Sequence, residues 1–422
     1  MDDRLSGYPD PDFSLGTLAR MGSSRLVTKA HSLLVTDARV WPAPDERLGD
    51  TVSILIVDGV IEQIGAGLQA PDDVPRLSAE GRVVTAGFWN CHVHFTGREW
   101  SSAATAPAES LQHALDDMLL SHGFTTVLDL SSNPRTTFAL MRRIATGELR
   151  GPEILTAATG LTPWRGMPFY VKADVPWVLR WLMPAPATSI GARLTVAAQI
   201  RGGAKLTKLF TGSYVRPDQV KPMRLPVARA AVAAAHRRGS RVFAHPSNRP
   251  GTEVAVEAGV DALAHVPDET EGTETLLRQA AERGIRLVPT LHMFASTVTT
   301  DDGYLAPIRA ALGGFIRAGG RVLFGTDVGY MADRETRGEY EAMRASGMST
   351  ADILRSLTTE PAEFLGRADT GSVAVGNRGD LTVLQTRDDP SPADLANIQA
   401  TIRAGRAIFL RDSPSKHTAD AP

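Results

Sequence analysis

The feature that most limits the fold of this chain is a regular alternation of short apolar segments with helical ones between residues 83 and 370. Runs rich in Ala, Arg and Leu, such as LPVARAAVAAAHRRG, have helical composition and end in glycine. Repeated β/α alternation is typical of a parallel sheet, and eight repeats predict an α/β fold, a closed (β/α)8 TIM barrel. The predicted strands are VVTAGFWNCHVHF (83–95), 125–130, 153–160, 205–210, 241–246, 262–266, 286–291 and 321–327.

An open, doubly wound sheet is the alternative arrangement of the same elements. Such sheets commonly bind nucleotides through a glycine-rich turn that follows a strand. No G-x-G-x-x-G or G-x-x-x-x-G-K-S/T motif follows any predicted strand, which removes the usual argument for this alternative.

The two ends of the chain differ from the middle, because they contain β-like segments separated by hairpin signals. TVSILIVDGVIEQIG near the start and GDLTVLQ near the end are examples. Residues 25–82 and 371–412 are therefore predicted to form one composite β-sandwich, and residues 83–370 the barrel. Residues 1–24 are rich in Pro, Gly, Asp and Ser and are predicted to be a loosely ordered arm.

Charge and composition exclude several classes of protein. The 422 residues include 45 Lys and Arg against 47 Asp and Glu, so no electrostatic footprint favours a nucleic acid or an anionic membrane. We expect a cytoplasmic protein, because no apolar run is long enough to span a bilayer and the first residues lack the apolar stretch of a secretory signal. The single cysteine, Cys91, excludes an internal disulfide and agrees with a reducing compartment.

Potential metal ligands lie at the carboxyl ends of the predicted strands, where barrel enzymes place their catalytic groups. In chain order they are His92 and His94, Lys208, His245, His265 and Asp327. Imidazole and carboxylate are the usual ligands of catalytic zinc, so the whole set predicts a metal site.

Taken singly, each of these residues has a simpler interpretation. A lone strand histidine is more often a hydrogen-bonded core residue, and Asp327 could cap the loop that follows it. Lys208 could reach solvent or pair with a carboxylate. Their joint position at one rim is what favours a metal site. The other histidines, His31, His113, His122, His236 and His417, are assigned to surface or packing roles.

Side-chain alternation along strand one predicts which residues face the barrel interior. Asn90 shares the inward face with His92 and His94, and the outward residues are Cys91, Val93 and Phe95. Cys91 is then a small packing residue and not a catalytic thiolate.

Lys208 on strand four is predicted to be buried among apolar neighbours if its strand face is inward. Desolvation would lower the pKa of its amine. A neutral lysine can react with carbon dioxide to give a carbamate, which offers two oxygens to metal ions.

The order of these motifs resembles the amidohydrolase superfamily of metal-dependent hydrolases. The matching segments are GFWNCHVHF, GAKLTKLF, VFAHP, AGVDALAHV and FGTD, followed by NRGDLTVLQ. The resemblance covers nearly the whole chain after its first residues and is closest to the imidazolonepropionase-like and Xaa-Pro/Xaa-Arg dipeptidase-like branch. It implies a small-molecule substrate, and the family often forms oligomers.

The resemblance implies that His92, His94 and Asp327 hold the deeper of two zinc ions. It also implies that His245 and His265 hold the second ion and that a carboxylated Lys208 bridges both. Members with one metal leave the strand-six histidine for the substrate, so one ion and other divalent metals stay open. A metal-activated hydroxide would attack the substrate, with Asp327 as the general base and acid.

Three hypotheses for the activity stay open. The first is hydrolysis of an amide bond, in a peptide-like molecule, an N-acyl amino acid or a cyclic amide. The second is hydrolytic deamination, or hydrolysis of an ester or lactone, at the same metal site. The third is a metal-free scaffold, which predicts missing ligands, and none is missing.

Loops after the strands are expected to contact the substrate. The candidates are Arg98 and Trp100, Trp164 and Arg165, Tyr214 and Arg216, Asn248 and Arg249, and His292. One of these arginines is hypothesised to bind a substrate carboxylate. Three departures from the family pattern bear on the substrate, namely Asn90 where many members have Asp, HPSNRPG after strand five, and TGLTPWRGMPFY after strand three.

Overall fold

The computed structural model describes residues 31–174, 177, 180 and 183–412. The predicted arm of residues 1–24 and His417 lie outside the described residues. The strands are β1 Leu33–Val40, β2 Thr51–Val57, β3 Val60–Gly65, β4 Arg76–Ser78, β5 Val83–Ala86, β6 Phe88–Val93, β7 Phe124–Asp129, β8 Glu153–Thr156, β9 Leu206–Phe210, β10 Gly212–Arg216, β11 Gln219–Pro222, β12 Arg241–His245, β13 Ala262–Ala264, β14 Arg286–Val288, β15 Leu381–Leu384, β16 Ile398–Arg403 and β17 Arg406–Leu410.

The α-helices are α1 Ala108–Met118, α2 Pro134–Ala145, α3 Phe169–Asp174, α4 Ser189–Arg201, α5 Leu225–His236, α6 Arg249–Ala258, α7 Glu274–Glu282, α8 Leu291–Thr297, α9 Asp302–Arg317, α10 Arg337–Ala345, α11 Thr350–Leu357 and α12 Thr359–Phe364. Short 3-10 helices include Arg98–Trp100, Leu120–His122 and Pro392–Ala396. None of the helices in the described part of the chain has the length and apolarity that crossing a bilayer requires.

Strands from both ends of the chain form one eight-stranded sheet. Its order is β17-β16-β15-β5-β1-β2-β3, with β4 paired to β1. Buried side chains from both ends pack on this sheet as one apolar cluster, which includes Val35, Ile54, Val84, Val383 and Ile402. The terminal segments therefore share a hydrophobic core of their own.

The chain passes from this terminal sheet to the parallel strands at Gly87. The sequence predicts one strand over 83–95, but β5 pairs with β1 and β15, while β6 pairs with β7. A Cβ atom at Gly87 would lie 2.3 Å from Thr125 Oγ1, so only glycine fits at this crossing. The terminal sheet thus extends to Ala86, beyond the predicted boundary.

Parallel strands followed by helices make up the middle of the chain, which confirms the predicted α/β class. One sheet has the order β6-β7-β8 and another the order β14-β13-β12-β9. The predicted strand 321–327 is an extended segment that bridges to both sheets, through Leu287 to Val322 and through Val93 to Val328. The hairpin of β10 and β11 was not predicted.

Two apolar clusters, which we call inner and outer, pack against these parallel strands. The inner cluster takes one or more residues from every parallel strand and from the extended segment, including Trp89, Leu128, Leu155, Leu206, Phe243, Ala262, Val288 and Leu323. The larger outer cluster joins the strands to the helices, with Val227, Ala231 and Ala235 of α5 among its members. The carboxyl ends of all these strands are thereby brought to one edge.

Candidate metal centre

The carboxyl end of β6 carries the first two predicted ligands and contains a β-bulge. Its pairing with β7 shifts register between Asn90 and Val93, and such a bulge interrupts the alternation of side chains. Cys91 consequently lies in the inner cluster of strand residues, so the outward orientation predicted for it is wrong. Val93 and Phe95 pack in the outer cluster, as predicted. Burial raises the pKa of the Cys91 thiol well above its usual range, which agrees with a packing role.

Asn90 connects β6 to the segment that carries Asp327. Its Oδ1 accepts hydrogen bonds from the backbone N–H groups of His92 at 3.1 Å and Thr326 at 3.3 Å. Its Nδ2 donates to the Thr326 hydroxyl at 2.8 Å. Asn90 is fully buried, and its amide holds the segments that carry His92 and Asp327 together.

Asp327 lies against His92 of β6 and against His94, which directly follows this strand. Its Oδ1 is 3.2 Å from His92 Nε2 and 2.9 Å from His94 Nε2. The ring of His265 at the end of β13 lies 4.6 Å from the ring of His92. Ligand atoms of His92, His265 and Asp327 all fall within 4.8 Å of one another, a spacing that could hold a metal ion.

The Nδ1 atoms of two histidines each lie beside a hydrogen-bond acceptor, which sets the tautomer of the ring. His94 Nδ1 lies 3.0 Å from the carbonyl oxygen of Ser131, which can only accept. His265 Nδ1 lies 2.7 Å from the Thr290 hydroxyl, whose own proton is donated to Pro289. Both Nδ1 atoms therefore carry hydrogen, and a neutral ring then turns the lone pair of Nε2 toward the centre.

The charge state of the buried histidines favours a cation at this point. Burial, followed by the neighbouring Lys208 and other histidines, lowers the pKa of His92, His245 and His265 well below the usual value. These rings are therefore neutral at pH 7 and offer lone pairs beside the Asp327 carboxylate. His92 Nδ1 and Asp327 Oδ1 are buried without a hydrogen-bond partner in the described structure. This donor set fits a divalent metal ion.

Lys208 of β9 is buried beside the same centre. Only 1% of the residue is exposed, and its Nζ lies 5.7 Å from the centroid of the Phe210 ring. No carboxylate of the described residues lies within ion-pair distance of this amine. Burial lowers the pKa of Lys208 to about 7, although the nearby Asp327 opposes that shift. At Gly160, a Cβ atom would lie 2.7 Å from Phe210 and 3.2 Å from Lys208, so this glycine leaves the room that the lysine occupies.

His245 completes the set of predicted ligands. It ends β12, and its ring lies 4.5 Å from the ring of His265. Its ring also lies 5.3 Å from the ring of Phe210, and Lys208 Nζ lies 5.7 Å from the centroid of that same ring. The structure therefore brings all six predicted ligands to one cluster at the carboxyl ends of the strands.

Four non-glycine residues around the centre have positive φ angles. They are Ser131 at 114°, His265 at 130°, Asp327 at 63° and Thr290 at 50°. Backbone conformations of this kind are strained and collect at functional sites, where surrounding contacts maintain them. Two of the four are predicted ligands, and the other two fix the tautomers of His94 and His265.

Three predicted substrate contacts make defined contacts within the protein. Trp100 is fully buried and packs edge-on against Phe95, with ring centroids 5.3 Å apart, so it belongs to the core. Asn248 caps α6 by accepting from the N–H of Gly251. His292 donates its backbone N–H to Glu339, and its Nε2 lies 2.8 Å from Asp333 Oδ2.

The remaining predicted contacts are exposed or half-buried. Trp164 is 53% exposed, and the Arg165 guanidinium lies 6.0 Å from the centroid of its ring. Tyr214 is half-buried and donates from its hydroxyl to Asp268 at 2.7 Å. The other exposed side chains of this group are Arg98, Arg216 and Arg249. None of these four arginines forms an ion pair with another described residue.

Sequence reasoning missed several tyrosines around the centre. The rings of Tyr170 and Tyr330 lie 5.2 Å apart. Burial raises the pKa of both hydroxyls, and the nearby Asp327 carboxylate raises it further. Tyr304 joins Tyr214 in donating to Asp268, at 3.1 Å. Tyr330 follows Asp327 by three residues, and Tyr170 lies in the unusual TGLTPWRGMPFY segment, so both had a signal in the sequence.

Asp129 at the end of β7 was also missed. It is fully buried and accepts hydrogen bonds from the hydroxyls of Ser132, Thr137 and Thr156, at 2.5, 2.9 and 2.7 Å. Burial raises the pKa of this carboxyl, against the opposing effect of those hydroxyls and of His94. Asp129 thereby holds the turn whose Ser131 carbonyl orients His94.

Residues 83–408 match the sequence profile of the amidohydrolase family. The chain belongs to the amidohydrolase family. The resemblance drawn from the strand-end motifs is thus confirmed, and the protein is a hydrolase that acts on C–N bonds. Amidohydrolases generally use divalent metal ions, which agrees with the histidine and aspartate group of this centre.

Two known proteins that are similar to this amidohydrolase match most of its length, and a third matches a short segment. The ochratoxinase of Aspergillus niger is 25% identical over 379 residues, which span 79% of this chain and 77% of that protein. The crystal structure of a Xaa-Pro dipeptidase with bound methionine matches 90% of this chain and 100% of its own, with a TM-score of 0.75 and 22% identity. A dihydroorotase of Citrifermentans bemidjiense is 38% identical over 63 residues, 15% of each chain.

Proposed function

We propose that this amidohydrolase cleaves an amide bond in a small molecule, such as a dipeptide, an N-acyl amino acid or a cyclic amide. The observation that carries the proposal is the convergence of imidazole nitrogens and a carboxylate oxygen at one point. Oδ1 of Asp327 faces two histidine nitrogens at 3.2 and 2.9 Å. The similarity to a dipeptidase and to an ochratoxinase supports the choice of an amide.

Zinc is the proposed metal, because the donors are imidazoles and carboxylate oxygens. His92, His94 and Asp327 would hold one ion, and His245 and His265 a second one. Lys208, carboxylated on its Nζ, would bridge the two. When bound, such ions lower the pKa of a water molecule and polarise a carbonyl group.

Asp327 is the proposed catalytic acid and base. Its carboxylate lies at the centre of the cluster, where it can accept the proton that the attacking water loses. The same oxygen can then donate that proton to the nitrogen of the leaving amine. Asn90 and Thr326 hold the backbone on either side of this residue, so the carboxylate is fixed in position.

We further propose that the parallel strands close into the predicted (β/α)8 barrel and that the terminal sheet is a β-sandwich. Bridges from Leu161 to Leu209, from Leu287 to Val322 and from Val93 to Val328 support closure, because they connect the two parallel sheets on both sides. Closure explains why eight separate segments contribute to one inner cluster.

Asp327→Asn tests the proposed activity. We expect the wild type, supplied with zinc and bicarbonate, to hydrolyse at least one compound in a screen of N-acyl amino acids, dipeptides and small cyclic amides. We expect kcat of Asp327→Asn to fall by about 10² to 10⁴, because the proton can no longer be transferred. Amine release would be measured. Asp302→Asn, at an exposed position on α9, is the control and should keep wild-type activity. Absence of amide hydrolysis in the wild type, or a fully active Asp327→Asn, would contradict the proposal.

Lys208→Ala tests the bridged pair of ions. The wild type is expected to bind about two zinc ions per chain and the variant fewer, because the bridging group is lost. Zinc would be counted by elemental analysis after dialysis. Lys205→Ala removes an exposed lysine of the same segment and should leave the count unchanged. One zinc per chain in both wild type and Lys208→Ala would show that the lysine bridges nothing.

A further inference from the structure

The loop that follows Asp327, residues 328–336, crosses directly over His94, and we call this loop the strap. The N–H of His94 donates to the carbonyl of Val328 at 2.8 Å, and the Thr96 hydroxyl donates to the carbonyl of Gly329 at 2.6 Å. Gly329 has a φ of 94°, and a Cβ atom there would lie 1.8 Å from the His94 carbonyl oxygen. The strap therefore begins in close contact with the metal centre, at a point that only glycine can occupy.

Two side-chain anchors hold the far end of the strap. Asp333 Oδ2 lies 2.8 Å from His292 Nε2, at the start of α8. Arg334 donates to Glu99 at 2.8 Å and also to Asp117 of α1. The strap contains no helix or strand, so these contacts hold a segment that has little backbone pairing of its own.

Tyr330 lies between the two ends of the strap, three residues after Asp327. Its N–H donates to the carbonyl of Asp327 at 3.2 Å, and its ring lies 5.2 Å from that of Tyr170. The ring is 45% exposed. No other described side chain forms a hydrogen bond with its hydroxyl. The position of this ring therefore depends on the course of the strap.

We propose that Asp333 and Arg334 are positioning residues that hold Tyr330 over the metal centre, where its ring and that of Tyr170 form a surface that the substrate contacts. The contact with substrate rests on the proposed function, whereas the anchoring of the strap does not. His292, which the sequence suggested as a substrate contact, would then act through Asp333.

The anchors are suited to local positioning because they add little to overall stability. The side chains of Arg334, Glu99 and Asp117 are 30%, 35% and 59% exposed, and exposed ion pairs contribute little to the free energy of unfolding. Their loss should open the strap locally while the parallel strands stay closed. An ion pair with only a structural role would instead change the stability of the whole domain or have no measurable effect.

Hydrogen exchange of the full-length protein tests the anchoring. In Arg334→Met and Asp333→Ala, amides of residues 328–336 should exchange about 5-fold faster than in the wild type, whereas those of β6, β9 and β12 should not change. Zinc content and the melting temperature should match the wild type. Arg334→Lys keeps the charge and should restore part of the protection. Arg278→Met removes an exposed pair on α7 and should leave the strap unchanged. Unchanged exchange in both anchor variants would overturn the proposal.

Kinetics with two probes, N-acetyl-L-phenylalanine and L-alanyl-L-proline, test the link to Tyr330. For the probe that is cleaved faster, Arg334→Met should raise KM about 5-fold with little change in kcat, because the metal ligands stay in place. Tyr330→Ala should raise KM as well, and adding Arg334→Met to it should change KM by less than about 2-fold. Additive effects would show that Arg334 does not act through Tyr330. If the wild type cleaved neither these probes nor any amide of the screen, the proposed function would fail, and the exchange data would still decide the anchoring.

Discussion

At the scale of single residues, Thr290 shows how a buried hydroxyl can orient a predicted metal ligand. It is fully buried, has a φ of 50°, and receives the Nδ1 proton of His265 at 2.7 Å. Because its own hydroxyl proton goes to Pro289, it can act only as an acceptor toward the ring. Thr290 therefore turns the lone pair of His265 Nε2 toward the metal position.

Thr290→Val should weaken zinc binding by about 10- to 100-fold, because valine keeps the shape of threonine but cannot accept the imidazole proton. Competition with a chromophoric chelator would measure the affinity. The matched control is Thr207→Val, since Thr207 is also buried and its hydroxyl bonds only to Ser240. Equal zinc affinity in Thr290→Val and the wild type would show that the hydroxyl does not orient His265.

At the scale of elements, a carboxyl from α10 caps the start of α8. Thr290 precedes α8 but makes no side-chain cap for it. Glu339 of α10 instead accepts the backbone N–H of His292 at 2.7 Å, and the N–H of Leu291 also bonds to it. The first turn of a helix favours such an acceptor. Burial nevertheless raises the pKa of Glu339 to about 7, and its Oε1 has no partner in the described structure.

Glu339→Gln should remove a pH dependence of stability. The folded-state pKa of about 7 lies above the usual 4.5, so the folded protein binds the proton more tightly. The stabilisation is complete below about pH 4.5 and is lost as pH rises through 7, a change of roughly 3 kcal/mol. Urea unfolding from pH 4 to 8 would measure it. The difference in unfolding free energy between wild type and variant should shift by that amount, and a constant difference would contradict the account of Glu339.

The elements that the sequence predicts best are strands with a clear alternation. The predictions 125–130, 205–210 and 241–246 agree with β7, β9 and β12 to within one residue. The break at Gly87 and the hairpin of β10 and β11 were missed, because membership of a sheet depends on partners that are distant in sequence. Local patterns do not contain that information.

At the scale of the whole molecule, the rule that barrel strands end at one rim was enough to predict that six residues from distant segments lie close together. The rule could not give side-chain orientation: the bulge in β6 turned Cys91 inward, and packing against Phe95 placed Trp100 in the core. Tyr170 and Tyr330 lie on loops whose course depends on contacts between elements. The clustering of the six predicted ligands was therefore predictable, and the positions of Tyr170 and Tyr330 were not.

The terminal sheet and the parallel strands are also tied together by buried charge. Glu153 of β8 pairs with Arg378 at 2.8 Å, just before β15, and with Arg367 at 2.7 Å. Burial alone would raise the pKa of Glu153, but the two arginines hold it down to about 2. The segment that leads into β15 of the terminal sheet is thus fastened to β8.

The dependence of amide hydrolysis on metal tests the proposed centre most directly. Protein stripped by a chelator and exhaustive dialysis should lose at least about 10²-fold of its activity toward the best amide of the screen, and zinc with bicarbonate should restore it. Elemental analysis would confirm the removal of metal. Undiminished hydrolysis by the metal-free protein would contradict the assignment of this site as a metal centre.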